Sequence, residues 1–208
     1  MTEDPGVEVY IARPRPRRGR PGHDLSAVLA AAVRLFNERG YEATSMDDVA
    51  KRLGITKSTL YHHVSGKEEL LRFAVDQALD ALDQAMDEVS AEPGPAIQRL
   101  EMLIRRSVLV LAERLEYVTL LLRVRGNTEV EQEALVRRRI FDAHVTTLVM
   151  QAQAEGSIRP DVPPATAARL LFGMVNSLIE WYSPQRGGAA GLADTVTTIA
   201  FDGLRTRQ

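Results

Sequence analysis

Residues 43–71 read ATSMDDVAKRLGITKSTLYHHVSGKEELL, and this stretch decides the fold. Ser45 stands before MDDVAKRL, where a hydroxyl accepts from an unpaired N–H of the first turn, and Asp47 and Asp48 follow at the positive end of the helix dipole. Met46, Val49, Ala50 and Leu53 share one helical face. Gly54 then ends the helix, Ile55 plugs the angle, and Thr56 caps a second, very short helix, KSTLYHHV. Ser65 or Gly66 closes the unit, and Lys67 opens a third helix.

Only Leu60 and Val64 of the short helix face inward. Lys57, Ser58, Thr59, Tyr61, His62 and His63 remain mostly outside, so this helix is not there to build a core. A generic three-helix corner with solvated faces is the plain alternative. Hydroxyls, imidazoles and ammonium groups on a short exposed helix nevertheless suit base edges and phosphates in a major groove. Lys67, at a helix start, sits where an ammonium and a backbone N–H can share a phosphate.

Three segments carry a family resemblance: LFNERGYEATSMDDVA, RLGITKSTLYHHV and SGKEELL. Over about residues 24–72 the chain closely resembles the DNA-binding domain of TetR-family transcriptional regulators. That resemblance implies that Thr44 and Thr56 hold phosphates and that Lys57, Ser58 and Thr59 lie nearest base edges. It also implies that Tyr61 and His62 touch phosphates or a thymine methyl, and that Lys67 grips a phosphate. Val64 stands where the family often has Phe, a small departure in core packing.

Composition agrees with helices throughout. The chain has 208 residues, 45% apolar but only 5% aromatic. Alanine, leucine and valine dominate, and no alternating run reads as a strand. The expected fold is all-α, with nine helices: a three-helix head and a six-helix body. The expected domains are an arginine-rich arm (1–22), the helix-turn-helix head (23–70) and a ligand-binding and dimerisation body (71–208).

The net charge of −2 hides an asymmetry: through Lys67 there are 11 Lys+Arg against 8 Asp+Glu, and beyond it 15 against 20. A basic head on an acidic body fits a reader joined to a regulatory module. There is no cysteine, hence no disulfide and no thiolate chemistry. No apolar run approaches the roughly 18 residues of a membrane span. The opening MTEDPGVEVY lacks the features of a secretion signal. A cytoplasmic protein with no membrane partner is expected.

RPRPRRGRPG, residues 13–22, carries five arginines and reads as a disordered arm. Arg17, Arg18 and Arg20 lie close enough to the first helix to reach a narrow minor groove. The helices that follow are expected over about 24–39, 67–89, 96–114, 116–124, 128–155, 165–182 and 192–205, besides the two already described. The eighth and ninth are the dimer candidates, because Gly173 and Ser177 sit four apart and the ninth is more apolar than one face requires. The resemblance also implies a homodimer through these two helices. A two-fold dimer would read a palindromic operator with half-sites about 34–36 Å apart.

The body has no G-x-S-x-G, no H-E-x-x-H and no phosphate-binding glycine loop, so it reads as a binding module and not an enzyme. His62 and His63 point apart and make a poor metal pair. His144 reads as an interior or boundary histidine. No metal or cofactor is expected. A pocket between the fifth, seventh and eighth helices would be lined by Leu103, Ser107, Leu111, Phe141, Val145, Leu148, Phe172, Val175 and Ile179. Asn176 and Glu180 would fix a polar end.

Arg123, Arg125, Arg137, Arg138 and Arg139 could meet phosphates at its mouth, or form a solvated face balanced by nearby glutamates. The segment SIRPDVPPATAARLLFGMVNSLIEWY resembles, more weakly, the acyl-CoA-responsive branch of the family, which controls fatty-acid, sterol or phenylacetate breakdown. The expected function is therefore a repressor released by a small apolar effector such as an acyl-CoA thioester. The alternative is a multidrug-efflux regulator sensing hydrophobic or cationic drugs, with Trp181 and Glu180 as its thin support.

Overall fold

A computed structural model of the chain describes residues 24–185 and 187–202. Among these residues the chain forms nine α-helices and no strand. They are α1 (Leu25–Arg39), α2 (Met46–Leu53), α3 (Lys57–Tyr61), α4 (Lys67–Ala91), α5 (Ala96–Glu113), α6 (Leu115–Arg123), α7 (Glu129–Ala154), α8 (Pro164–Ser177) and α9 (Ala189–Asp202). Helices α1–α3 make the head and α4–α9 the body. The arm with Arg17, Arg18 and Arg20 lies outside the described residues.

Local chemistry sets the head. Asp24 accepts from the Ala27 N–H at 2.9 Å to start α1. Ser45 and Asp48 form a reciprocal capping box at α2, and Gly54 ends that helix in the left-handed region at φ 67°, where a side chain would be strained. Thr56 accepts from the Thr59 N–H at 3.1 Å. Helix α3 is shorter than the sequence suggests: it stops at Tyr61, with His62 as its cap. Val64 then turns inward and is 3% exposed.

Helix α4 has 25 residues, which at 1.5 Å per residue is roughly 37 Å of rod. Leu70, Leu71, Ala74, Val75, Ala78 and Leu79 along it are all buried, in one apolar cluster that runs unbroken from Val28 in α1 to Phe201 in α9. A buried leucine or valine contributes about 1.5–3 kcal/mol. Separating α4 from its neighbours would expose several at once, so displacement of the rod as a unit is the cheaper movement.

The head is also tied to the body by polar contacts. Arg34 donates to Glu116 at 3.1 Å, the Asn37 amide donates to the Glu116 carbonyl at 2.8 Å, and Arg123 donates to the Asn37 carbonyl at 2.8 Å. Within the body, Arg72 on α4 pairs with Glu133 on α7. Deeper in the body, Arg137 on α7 reaches three α4 carboxylates: Asp76 at 3.0 Å, Asp80 at 2.7 Å and Asp83 at 2.5 Å. Glu131, buried, accepts from the backbone N–H groups of Arg125, Gly126 and Asn127 and shapes the turn that starts α7.

Helix α8 ends at Ser177 and tightens into a 3-10 turn over Leu178–Glu180, where the sequence suggests a helix continuing to Tyr182. The Ser177 hydroxyl donates to the Met174 carbonyl at 2.7 Å, a local competitor for the helical hydrogen-bond ladder. The tightening leaves Glu180 and Trp181 exposed. On the outer side of α8 and α9, Leu170 and Ile199 are 64% and 62% exposed. A Cβ built on Gly173 would meet open space. Among the described residues, no helix is long and apolar enough to cross a membrane.

Candidate nucleic-acid interface and ligand cavity

Thr56, Lys57, Ser58, Thr59, Tyr61 and His62 are all exposed on one short helix and its ends, as expected of a surface offered to a groove. The Thr56 hydroxyl also sits 2.8 Å from that of Thr59. Lys57 lies 3.1 Å from Asp47, both well exposed. The hydrogen bond to Asp47 raises the Lys57 pKa, so the ammonium is held charged. Exposed pairs of this kind are weak and can yield to a phosphate or a guanine edge.

Two of the expected contacts need correction. Thr44 is 2% exposed, and its hydroxyl donates to the Gly40 carbonyl at 2.8 Å. That side chain closes the α1–α2 corner and cannot hold a phosphate as placed. Lys67 is partly buried, with its Nζ 3.0 Å from the Tyr41 carbonyl and 4.1 Å above the Tyr41 ring. It is first a clasp between the α1–α2 loop and α4, and only the ammonium protons left over can face a phosphate. Desolvation, reinforced by Glu68, Glu42 and Glu131, pushes the Tyr41 phenol up to about 12, so it stays neutral beneath the ammonium.

The cap of α2 is sensitive to acid. Asp48 accepts from the Ser45 hydroxyl at 2.5 Å and from the Ser45 N–H at 3.0 Å, and these bonds lower its pKa. A carboxylate with a depressed folded pKa stabilises above its unfolded value, about 3.9, and loses that contribution as pH falls through the folded value. An NMR titration is therefore expected to show Asp48 titrating below the ordinary aspartate range, with the Ser45 and Asp48 amides shifting at the same midpoint. Titration at the ordinary value contradicts the capping role.

In the body, one cavity of about 50 Å³ is lined mainly by apolar side chains from α4, α5, α6, α7 and α8. Of the residues proposed from sequence, Ser107, Leu111, Phe141, Phe172, Val175 and Asn176 line it. Phe141 and Phe172 meet edge to face, with centroids 5.1 Å apart. Leu103, Val145, Leu148, Ile179 and Glu180 do not line it. Leu103, Val145 and Leu148 are buried elsewhere in the core, one or more helical turns along from the lining residues. Ile179 and Glu180 lie beyond the α8 break.

Arg123 and Arg125 flank a separate crevice between head and body, with Phe36, Tyr41 and Leu120, because the end of α6 packs toward α1. The successive arginines of α7 point in different directions. Arg137 clamps α4, Arg139 is exposed and Arg138 alone lines the cavity. His144 is exposed rather than interior.

The sequence reading missed the walls made by α4 and α6. Leu79, Leu82 and Asp83 come from α4, and Val118, Leu121 and Leu122 from α6. One available signal was Asp83 directly after Leu82, an acid beside the apolar stripe of a long helix. At the cavity's edge, Asp142 has its pKa raised by desolvation, against the pull of Arg138 and Arg169. Asp83 joins the cavity to the Arg137 clamp.

Residues 28–73 match the family model for bacterial regulatory proteins of the tetR family. Residues 93–204, more than half of the chain, match the tetracyclin repressor-like C-terminal domain. The chain belongs to the TetR family of transcriptional regulators. It is similar to the crystal structure of a TetR-family member from Streptomyces coelicolor A3, with 52% identity, 86% of this chain and 91% of that one covered, and a TM-score of 0.80. AibR, solved in complex with isovaleryl coenzyme A and operator DNA, is 28% identical over 85% of this chain and 97% of its own, with a TM-score of 0.73. The HTH-type transcriptional repressor KstR2 of Rhodococcus jostii is 28% identical over 200 residues, 85% of this chain and 89% of KstR2. These relatives are regulators, and the chain is a regulator rather than an enzyme.

Proposed function

We propose that the protein is a homodimeric repressor that leaves its operator when a small apolar ligand, of the acyl-CoA thioester class, enters the body cavity. The observation that carries the reading is the cavity's wall. It is built partly from Leu79, Leu82 and Asp83 of α4, the helix that begins immediately behind α3. A ligand that expands this cavity displaces the rod on which the head is mounted. Only a ligand that binds the two head spacings unequally shifts the equilibrium between them.

At about 50 Å³, the cavity has room for about four waters at roughly 10–15 Å³ each, or for a short branched acyl tail only after the walls yield. The size and apolar lining support a small acyl group with the coenzyme outside, near Arg138. AibR's isovaleryl coenzyme A supports the same class. Asp142, Asp83 and the two phenylalanines favour a second reading, a hydrophobic cation of the kind an efflux regulator senses.

Binding is tested by the melting temperature of the protein with isovaleryl-CoA, longer acyl-CoA thioesters, free coenzyme A and a hydrophobic quaternary amine. Stabilisation by one acyl class and not by free coenzyme A is expected. Stabilisation by the amine alone selects the second reading. Footprinting on DNA upstream of the gene is expected to show a two-fold symmetric site with half-sites one helical turn apart.

Two substitutions test the reading helix. Lys57→Ala and Tyr61→Phe are each expected to weaken operator binding on the order of tenfold, with the Lys57 change also reducing the salt dependence. Both side chains are exposed, so melting should be unchanged. Unaltered affinity in both variants refutes the assignment of α3.

A further inference from the structure

We infer that the ligand's buried portion carries a neutral oxygen function, a carbonyl or hydroxyl, recognised by Ser107 from α5 with the Asn176 amide from α8. The inference rests on the cavity being the effector site and adds the chemistry that the site selects. Ser107 lines the cavity and is 1% exposed. Its Oγ has no hydrogen-bond partner within the protein, although a helical serine can usually bond its own i−4 carbonyl.

A buried hydroxyl without a partner is unfavourable, so the folded chain keeps it at a net loss unless something else fills the role. Around it stand Leu79, Leu111, Val118, Phe141, Phe172 and Val175, none able to hydrogen-bond through a side chain. Asn176 is the other neutral polar group of the lining, and the charged groups Arg138, Asp142 and Asp83 complete it. Asp83 is already paired with Arg137. Ser107 and Asn176 offer only neutral donors and acceptors, which match an uncharged oxygen, while Arg138, Asp142 and Asp83 supply the charge of the lining. A purely hydrocarbon tail would leave the buried Ser107 hydroxyl unpaired, and that is the basis of discrimination.

The test uses two probes of similar size, butanone and isopentane, in which the trigonal carbonyl of the first is replaced by a tetrahedral carbon bearing a methyl group. Their affinities for the full-length wild-type protein and for Ser107→Ala are measured by ligand-observed NMR and by melting temperature. The wild type is expected to bind butanone, and its butanone-to-isopentane preference should fall roughly tenfold in Ser107→Ala, which corresponds to about 1.4 kcal/mol. Without ligand, Ser107→Ala should melt no lower than the wild type, because it removes a hydroxyl that has no partner.

A preference ratio unchanged within twofold overturns the inference, as does failure of butanone to bind the wild type. A marked loss of stability in ligand-free Ser107→Ala also overturns it, by showing an internal partner. Ser107→Cys, similar in size and a weak donor, gives the same comparison should the alanine variant express poorly. Operator release is read separately on DNA. If butanone binds in the expected pattern while no thioester releases the operator, the effector class of the proposed function fails and the oxygen selectivity stands.

Discussion

Ile199→Asp is expected to leave the chain folded but monomeric, and to weaken operator binding roughly a hundredfold or more. Ile199 is 62% exposed on α9, so the substitution removes little packing from the protomer itself. Together with Leu170 on α8, and with Gly173 offering open space for a partner backbone, it belongs to the surface proposed to pair with a second copy. A buried, unpaired carboxylate facing its own two-fold mate is strongly unfavourable. Each freed head then binds one half-site alone and loses the gain from linked sites, on the order of 10²–10⁴. Sedimentation velocity and operator titration check this together. A dimer of unchanged stability in Ile199→Asp places the interface elsewhere.

The second large effect is expected from Val175→Phe. Val175 is 2% exposed and lines the body cavity, so a phenyl ring there takes the space that the effector's tail would need. Operator affinity should stay within about twofold and melting should rise, because filling a void restores lost contacts. The concentration of effector needed for release should rise on the order of a hundredfold, since the ligand must compete with a covalently attached side chain. Release at the wild-type effector concentration would show that the effector binds outside this cavity.

These effects separate what could be read from residue types from what needed three dimensions. The head was legible because its signals are local. Ser45 with Asp48, Gly54 and Thr56 set helix starts and stops within a few residues of themselves, and the observed caps are those residues. Thr44 differs because its phosphate role came from the family resemblance and not from a local signal, and its hydroxyl instead turns inward to the Gly40 carbonyl.

The body was legible as helices but not as a site. Periodicity places Leu79 and Leu82 on an apolar face of α4 and Leu121 and Leu122 in an apolar α6, without saying that these faces enclose one cavity with Phe141 and Phe172. The arginines show the limit most clearly. Arg137 and Arg138 are neighbours in sequence, yet one clamps three aspartates of α4 and the other lines the cavity. Arg123 and Arg125 belong to a different crevice altogether. A charge cluster in sequence is dispersed by helical geometry, because each residue turns about 100° from the last.

The most direct test of the central claim, that ligand in the body empties the operator, is fluorescence anisotropy. Labelled DNA from upstream of the gene is saturated with the full-length protein and titrated with acyl-CoA thioesters of graded chain length and branching. Release by one chain class, with none by free coenzyme A or the free acid, is the predicted result. DNA that stays bound through every thioester, while Lys57→Ala still weakens binding, would contradict acyl-CoA control and leave the reading helix in place.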